Sequence, residues 1–403
     1  MCLLSGGSGN RLARALDTRR MAGYALARMA DTAKLLKELI ATPSVNPAFL
    51  PLGHPNAGEA GVADLLSRMA RRAGMDVELH KLAPGRHNVF VRLCPRRNPG
   101  RTVWLAPHMD TVNGVDEQFR PKLVGDRLYG RGACDTKGAL AAMLGAMKDL
   151  AVQRRRPEQT EIVLTALADE ENAHLGSRAL VSSGSRAHLA IVGEPTMNRV
   201  VTAHKGSLWI QIETAGTAAH GSRPELGENA VHEMARIVDY LQTAYTRRLA
   251  KRRHDLLGVP TVSVGAISGG TQPNIVPDHC TILVDRRTLP GETKRSVLKE
   301  LSSLLRKKGF KATISLTRDE EDLAMETDPG LDLVTKFLKS VRQKKPAGVD
   351  YFCDASILAG DGTPSVVFGP GSIAQAHTAD EWISMRALEN CRALLGRFLG
   401  SLP

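Results

Sequence analysis

Acidic side chains and a histidine follow two apolar stretches of this 403-residue chain. The stretch EIVLTALA is followed by Asp169, Glu170 and Glu171, and the stretch TVWLAP is followed by His108 and Asp110. An acidic run alone is most often a solvated loop or the first turn of a helix, where carboxylates favour the positive end of the helix dipole. The interpretation of these residues therefore depends on other parts of the chain.

Three further ionisable residues occupy similar positions. Asp135 in RGACDTKGAL precedes a helical pattern, Glu194 ends the apolar stretch LAIVG, and His377 lies in FGPGSIAQAHTADEW, after another apolar stretch. Buried carboxylates are costly unless they are paired or coordinated, so these residues together favour a metal centre over ordinary core packing. Two imidazoles with several carboxylates and no clustered thiolates suit Zn²⁺, Co²⁺ or Mn²⁺ in a catalytic site.

The number of carboxylates permits two metal ions that share a bridging aspartate. Such a pair lowers the pKa of a bound water molecule and also polarises a carbonyl oxygen. The adjacent Glu170 and Glu171 can then have separate roles. One is a metal ligand, and the other is the general base that removes a proton from the water.

The apolar pattern also predicts the elements that position these residues. Helical patterns in AGVADLLSRMARRAG and GALAAMLGAMKDLAVQ alternate with the strand patterns VELHKL, HNVFVRL, TVWLAPHMD, EIVLTALAD and LAIVGEP. This alternation predicts an α/β fold with a mixed, largely parallel sheet and helices on both faces. Ligands of such sheets bind beyond the carboxyl ends of the strands, where the acidic residues and histidines fall.

These motifs resemble those of the co-catalytic zinc aminoacylase and carboxypeptidase family, which includes acetylornithine deacetylase, succinyl-diaminopimelate desuccinylase, aminoacylase and glutamate carboxypeptidase. The resemblance runs from about LLKELIATPSVNP to the C-terminus. It implies a fold of the zinc-exopeptidase type with two Zn²⁺ ions, for which Co²⁺ or Mn²⁺ can substitute. The metal ligands that it implies are His108, Asp135 as the bridge, Glu171, Glu194 and His377.

The same resemblance implies roles for the neighbours of these ligands. Glu170 would be the general base and later the acid. Asp110 would orient His108 without binding a metal ion itself. Asp169 is then interpreted as structural.

The middle of the chain predicts a second domain. From about Val200 the order is strand, helix, strand, strand, helix, strand, which is typical of an α+β ferredoxin-like insert. By resemblance this insert is a lid and often the dimerisation surface, so a homodimer is expected. The predicted domains are a tail over 1–31, catalytic segments over 32–199 and 320–403, and the lid over 200–319.

Three lid residues belong to motifs of the family. His220 in TAAHGSRP would by resemblance reach an active site and stabilise the oxyanion. Asn274 and Arg287 are candidate contacts to the amide or carboxylate of the substrate. Each has a structural alternative, because a lone histidine near a helix start is commonly structural and Arg287 can simply pair with Asp285.

Composition excludes other classes of protein. The formal charge is +12, but aromatic residues are only 4% and no nucleic-acid-binding motif accompanies the basic clusters at 246–254 and 342–346. We interpret both clusters as solvated faces. Six scattered cysteines and the lack of a run near 20 apolar residues predict free thiols, no membrane span and a cytoplasmic location. The basic tail is predicted to be flexible, or to reflect a start codon called upstream of Met21 or Met29.

The predicted activity is metal-dependent hydrolysis of the amide bond of an N-acyl-L-amino acid. FGPGSIAQAHTADEW and VGEPTMNRVVTAHKGSLW are most similar to acetylornithine deacetylases, which favours N-acetylornithine and a place in arginine biosynthesis. A desuccinylase, an aminoacylase and a dipeptidase or carboxypeptidase of the same family are alternatives. A non-catalytic binding protein on this fold is disfavoured, because none of the predicted ligands and neither the base nor Asp110 is missing.

Overall fold

The computed structural model describes Arg28, residues 30–318 and residues 322–403. These residues form two compact units. The first contains the described residues up to Ser183 together with Ile191–Arg199 and Val367–Pro403, and the second contains Gly184–Ala190 and Val200–Val366. Most of the predicted tail over 1–31 lies outside the described residues. The predicted boundaries of the catalytic segments and of the lid stay predictions.

The described part of the chain alternates between helices and short strands. Its helices are α1 (30–40), α2 (Ala60–Arg72), α3 (Lys137–Val152), α4 (Leu175–Ser182), α5 (Ala230–Tyr240), α6 (Thr246–Leu249), α7 (Lys294–Lys307), α8 (Asp332–Ser340), α9 (Ala355–Gly360) and α10 (Met385–Leu399). Its strands are β1 (Asp76–Ala83), β2 (Arg86–Leu93), β3 (Arg101–Pro107), β4 (Lys122–Val124), β5 (Arg127–Tyr129), β6 (Thr160–Ala166), β7 (Leu189–Gly193), β8 (Val201–His204), β9 (Gly206–Ala215), β10 (Thr261–Gly269), β11 (His279–Thr288), β12 (Ala312–Leu316), β13 (Met325–Glu326), β14 (Ala347–Val349), β15 (Ser365–Val367) and β16 (Trp382–Ser384).

The sheet of the first unit is mixed, as the sequence predicted. Its strands run in the order β1, β2, β6, β3 and β7. β1 and β2 form an antiparallel hairpin, β2 is antiparallel to β6, and β6 is parallel to β3. The last five residues of β3 and of β6 are all buried, which explains their continuous apolar sequences. Because β3 and β6 are parallel, both strands end in loops at the same edge of the sheet.

The helices of the first unit differ in how they are buried. α2 buries one face, and two arginines in its last turn favour the negative end of the helix dipole. α3 is apolar on every side, and Lys137–Met147 are all buried. It packs against β3, β6 and α10. α3 is thus a core helix whose first turn follows directly on Asp135.

The second unit contains the βαββαβ arrangement predicted from the sequence. Its antiparallel sheet has the order β10, β11, β9 and β12, with α5 between β9 and β10 and α7 between β11 and β12. β9 alternates between more and less buried residues, as expected for a sheet with one covered face. Side chains of the sheet and of the helices share one apolar core, which includes Leu208, Ile210, Ile212, Met234, Ile237 and Leu301.

The rest of the second unit is built around β8. This strand pairs antiparallel with β13 and parallel with β14. Among the described helices, none combines the length and the apolar character that a membrane crossing requires.

Candidate metal centre

Loops at the carboxyl ends of β3, β6 and β7 bring the predicted ligands together in the first unit. His108 directly follows β3, and Glu194 directly follows β7. Glu170 and Glu171 lie a few residues beyond β6. The loops after parallel strands face the same crevice, so these side chains converge there. Asp135 and His377 reach the same place from the loops before α3 and β16.

Asp135 lies between the two imidazoles. Its Oδ1 is 3.1 Å from Nε2 of His108, and its Oδ2 is 3.4 Å from Nε2 of His377. Glu171 Oε2 lies 3.2 Å from His377 Nε2, and Glu194 Oε1 lies 3.8 Å from His108 Nε2. One carboxylate oxygen for each imidazole is the arrangement that a bridging aspartate requires. The assignment of each ligand to one of two ions stays a prediction.

The donor groups fit a divalent metal. His108, Asp135 and Glu171 offer three ligand atoms within 4.8 Å of one another, and His108, Glu170 and Glu194 offer a second such set. Oε1 of Glu171 is buried and has no hydrogen-bond partner among the residues that the structure describes. A buried carboxylate oxygen without a donor is costly, and a cation at this position would remove that cost.

Burial and hydrogen bonds within the cluster shift the pKa values of Glu171 and His377. Burial raises the pKa of Glu171. Hydrogen bonds with Asp135 and Glu171 raise the pKa of His377 to about 10. The proton that this imidazole holds is therefore stabilised by two carboxylates, and a metal ion would replace that proton on binding.

His108 is oriented by the backbone of Asp110. Nδ1 of His108 lies 2.9 Å from the carbonyl oxygen of Asp110, and 3.5 Å from Oδ1 of the same residue. Because a carbonyl oxygen can only accept, Nδ1 carries a hydrogen, and Nε2 is the nitrogen that faces Asp135 and Glu194. Burial opposes protonation of His108, but hydrogen bonds to Asp110 and Asp135 outweigh it and hold its pKa well above the usual value.

The carboxylate of Asp110 fixes the next strand end. Its two oxygens accept the backbone N–H groups of Glu170 at 3.0 Å and of Glu171 at 3.1 Å. Burial alone would raise the pKa of Asp110, but hydrogen bonds from His108 and Asn46 hold it below the usual value. Asp110 therefore positions the predicted base and the predicted ligand beside it.

A buried polar network that sequence reasoning missed lies behind these residues. The amide Nδ2 of Asn46 donates to Asp110 at 2.7 Å and to Asp169 at 2.9 Å. Arg86 donates to Asp169 at 2.8 Å and is paired with Glu59. Asp169 has a left-handed backbone with φ of 72° and is fully buried. Its hydrogen bonds with Asn46 and Arg86 are consistent with a structural role.

Glu381 is a second residue that sequence reasoning missed. It lies four residues after His377 and is buried. Its carboxylate accepts backbone N–H groups from the loop of Asp135 and pairs with Arg131. The signal was available in AHTADEW, where an acidic residue follows the candidate ligand at short range.

The three predicted substrate residues lie in the second unit. The N–H of Gly221, next to His220, donates to the carbonyl of Asn274 at 2.7 Å, so the two predicted residues are held close together. Arg287 donates from Nε to Asp285 at 2.9 Å, which is the alternative stated above. The substrate-binding roles of His220, Asn274 and Arg287 stay predictions.

A mixed α/β fold with this cluster of imidazoles and carboxylates at its strand ends defines a metallohydrolase of the zinc-exopeptidase type. The chain matches Peptidase family M20/M25/M40 over residues 104–401 and belongs to that family.

Curated relatives agree with this membership. The acetylornithine deacetylase of Photorhabdus laumondii subsp. laumondii is 29% identical over 384 residues, which cover 91% of this chain and 96% of the relative. The acetylornithine deacetylase of Myxococcus xanthus is 34% identical over 279 residues, which cover 67% of this chain and 71% of the relative.

Solved structures share the fold. Aminopeptidase PepT from Bacillus cereus has a TM-score of 0.74 at 21% identity, with 92% of this chain and 98% of that chain covered. The YXEP protein from Bacillus subtilis, a dinuclear metal-binding peptidase, has a TM-score of 0.68 at 14% identity, with 93% and 98% covered. The recognition of the family, the fold class and the classification as a metal-dependent hydrolase are confirmed.

Proposed function

We propose that this protein hydrolyses the amide bond of N-acetylornithine or a closely similar N-acyl amino acid. The observation that carries the proposal is the position of Asp135 between His108 and His377, with Glu170 and Glu171 held beside it by Asp110. Curated relatives named acetylornithine deacetylase, which align with 91% or 67% of the chain, support the acetylornithine substrate.

Two divalent ions, held by His108, Asp135, Glu171, Glu194 and His377, would supply Lewis acidity that activates a water molecule and polarises the acyl carbonyl. Glu170 removes the proton from the attacking water and later returns it to the leaving amine. Asp110 holds the backbone of Glu170, so the base stays aligned through both proton transfers. The products are acetate and a free amino acid.

His220 is suited to the oxyanion role by its tautomer. The backbone N–H of Ser222 donates to Nδ1 of His220 at 3.1 Å, and the Ser222 hydroxyl lies 2.7 Å from the same nitrogen. Nδ1 is thus an acceptor, and the neutral ring carries its hydrogen on Nε2. Nε2–H would donate to the developing oxyanion.

Asn274 and Arg287 are proposed to bind the substrate. Asn274 lies beside His220, where its amide could meet the acyl amide of the substrate. Nε of Arg287 is engaged by Asp285, so a substrate carboxylate would be bound by the terminal guanidinium nitrogens.

We also propose Zn²⁺ as the metal, a cytoplasmic location, and a homodimer that forms through the segment 200–319. The donor set supports Zn²⁺, because imidazole nitrogen and carboxylate oxygen are its ligands in catalytic sites. Co²⁺ and Mn²⁺ accept the same donors and are the metals to compare.

The test is amine release from N-acetylornithine, N-succinyl-diaminopimelate, N-acetylmethionine and a dipeptide by the zinc-loaded protein. We expect the highest kcat/KM with N-acetylornithine, and no release after chelation. Glu170→Gln is expected to lower kcat by about 10² to 10⁴ because it removes the base. Its metal content should match the wild type.

Glu158→Gln is the matched control. Glu158 is an exposed carboxylate of the same unit that pairs with Arg96, so this change should leave kcat unaltered. Faster hydrolysis of the succinyl substrate or of the dipeptide would replace the acetylornithine assignment with that alternative. Full activity in Glu170→Gln would disprove the role of the base.

A further inference from the structure

Glu381 is a buried charged residue that the proposed reaction does not use. Its side chain is 1% exposed. It directly precedes β16 and follows His377 by only four residues. Burial raises the pKa of Glu381, so the carboxylate needs donors to remain charged at this position.

Four donors from one short segment meet this carboxylate. Oε1 accepts the backbone N–H of Cys134 at 2.8 Å and that of Asp135 at 3.0 Å. Oε2 accepts the backbone N–H of Gly132 at 2.9 Å and Nη1 of Arg131 at 2.8 Å. The side chain of Glu381 therefore holds the main chain of the loop that carries the predicted metal bridge.

The backbone around Glu381 is tied to the same loop. Gly130 donates its N–H to the carbonyl of Glu381 at 3.0 Å, and Nη2 of Arg131 donates to the carbonyl of Thr378 at 3.2 Å. Nε2 of Gln118 donates to the carbonyl of Ala379 at 3.0 Å. The segment that follows His377 is thus bound along its length.

His377 depends on such support. Its backbone lies in the left-handed region with φ of 60°, which is uncommon for residues other than glycine. Its side chain is 53% exposed, so packing alone does not fix the ring. Yet its Nε2 must stay near Asp135 for one carboxylate to join two metal ions.

We propose that Glu381 is a positioning residue that fixes Asp135 and His377 relative to one another and thereby sets the affinity for the second metal ion. This inference rests on the ligand assignment in the proposed function. A glutamine in this place would turn an NH₂ group toward one pair of the four donors, because only one of its terminal atoms accepts hydrogen bonds. The isosteric change therefore removes hydrogen bonds between the loop of Asp135 and the segment that follows His377.

The experiment is a titration of the metal-free full-length protein with Co²⁺ in the presence of a competing chelator. For Glu381→Gln we expect the second equivalent of Co²⁺ to bind about 10 to 100-fold more weakly than in the wild type, the usual range for residues that orient ligands. The visible absorption spectrum of bound Co²⁺ should change as well, because the coordination geometry changes.

Glu389→Gln is the matched control. Glu389 is a carboxylate of the same unit that pairs with Arg28 and accepts from Oγ1 of Thr32 at 3.1 Å. This variant should bind both equivalents as the wild type does. Circular dichroism and the Tm of each metal-free protein establish that the variants are folded.

Arg131→Lys is the second variant, for the case in which Glu381→Gln does not fold. It keeps the positive charge but loses the fork that joins Glu381 to Thr378, so a smaller loss of affinity in the same direction is expected.

Wild-type affinity and spectrum in folded Glu381→Gln, or in Arg131→Lys when only that variant folds, would overturn the inference. So would a wild type that binds fewer than two equivalents. A wild type that binds two ions tightly yet hydrolyses no substrate would disprove the proposed function and leave this inference intact.

Discussion

A single amide separates two buried carboxylates behind the candidate metal centre. Asn46 donates from one nitrogen to Asp110 and to Asp169, both of which are buried, and Arg86 also donates to Asp169. Buried acceptors that lose a donor carry a desolvation cost of about 1 to 3 kcal/mol each. The stability of this part of the site therefore depends on Asn46.

We predict that Asn46→Ala lowers the free energy of unfolding by about 3 kcal/mol, because two buried carboxylates lose a hydrogen bond. Urea denaturation of the metal-free protein measures this change. Asn113→Ala alters an exposed asparagine of the same unit and should stay within about 0.5 kcal/mol of the wild type. An equal effect of the two substitutions would show that the bridge of Asn46 contributes nothing to stability.

His220 is the proposed hydrogen-bond donor to the oxyanion. We expect His220→Ala to lower kcat by about 10² to 10³, the usual loss for one donor to an oxyanion, while the bound metal is unchanged. His232→Ala is the control, because His232 is an exposed histidine of the same unit in α5. Steady-state kinetics with N-acetylornithine provide the measurement, and a kcat near that of the wild type would exclude His220 from the reaction.

The sequence could predict the candidate ligands but not the residues that hold them. His108, Asp135 and Glu171 lie in short motifs next to apolar patterns, and such local motifs can be recognised without knowledge of the fold. Asn46 and Glu381 are far in the chain from the residues whose loops they hold, Asp110 and Asp135, although Glu381 follows the ligand His377 closely. Their roles depend on which loops the fold brings together, and no periodicity of the sequence encodes that pairing.

The strand β8 ends in a buried histidine, His204. Nδ1 of His204 lies 2.9 Å from the carbonyl of Lys205, and Nε2 has no hydrogen-bond partner among the described residues. The ring lies edge-on to Phe352 with 5.6 Å between centroids. Burial lowers the pKa of His204 to about 4 from its usual 6.5.

This pKa predicts a loss of stability in acid. Between pH 6.5 and 4 the unfolded chain binds a proton at residue 204 that the folded chain does not bind. The free energy of unfolding therefore decreases as the pH falls through this window, by about 2 kcal/mol at pH 5 from this residue. Tm measurements at pH 7 and pH 5 should show a smaller decrease for His204→Gln than for the wild type.

His188→Gln provides the comparison for this prediction. His188 is exposed in the same unit, so its removal should leave the difference between the two pH values unchanged. If the wild type and His204→Gln lose the same stability between pH 7 and pH 5, His204 is not the group that titrates.

The elements themselves were predictable to different degrees. Continuous apolar stretches located β3, β6 and the core helix α3, and the order of elements from Val200 predicted the antiparallel sheet of the second unit. The antiparallel hairpin of β1 and β2 beside the parallel pair could not be predicted in the same way. Strand direction depends on connections and partners, whereas periodicity reports only which face of each strand is buried.

The net charge of the chain is +12, and the basic cluster 246–254 has acidic partners close by. Arg252 contacts both Glu292 and Glu300, and Arg248 donates to Glu300 at 2.7 Å. Part of this cluster is therefore neutralised by glutamates of the same unit, and its interpretation as a solvated face stays a prediction.

Removal of the metal should lower the thermal stability of the protein. A ligand that binds only the native state stabilises it by about 4 kcal/mol when its concentration is 1,000 times its Kd. We therefore expect chelation to lower the Tm by several degrees and added Zn²⁺ to restore it, as measured by scanning calorimetry. Asp135→Asn, which changes the predicted bridge, should abolish most of this response, and an unchanged Tm after complete chelation would contradict the metal centre.

The edge of the four-stranded sheet provides a test of the proposed homodimer. β10 and β12 are its two edge strands, and an edge strand presents backbone groups that can pair with a second chain. β10 is the more apolar edge, because Ile267 is 59% exposed there whereas the exposed positions of β12 are Thr313 and Ser315. Contact between copies along β10 would bury this isoleucine.

We expect sedimentation equilibrium to give a dimer for the wild type and a shift toward monomer for Ile267→Lys, because the substitution places a charge in the apolar contact. Val152→Lys is the control, since Val152 is 68% exposed in the first unit and lies at the end of α3. If Ile267→Lys remains as fully dimeric as Val152→Lys, the contact between the copies does not lie along β10. A monomeric wild type would remove the dimer from the proposal altogether.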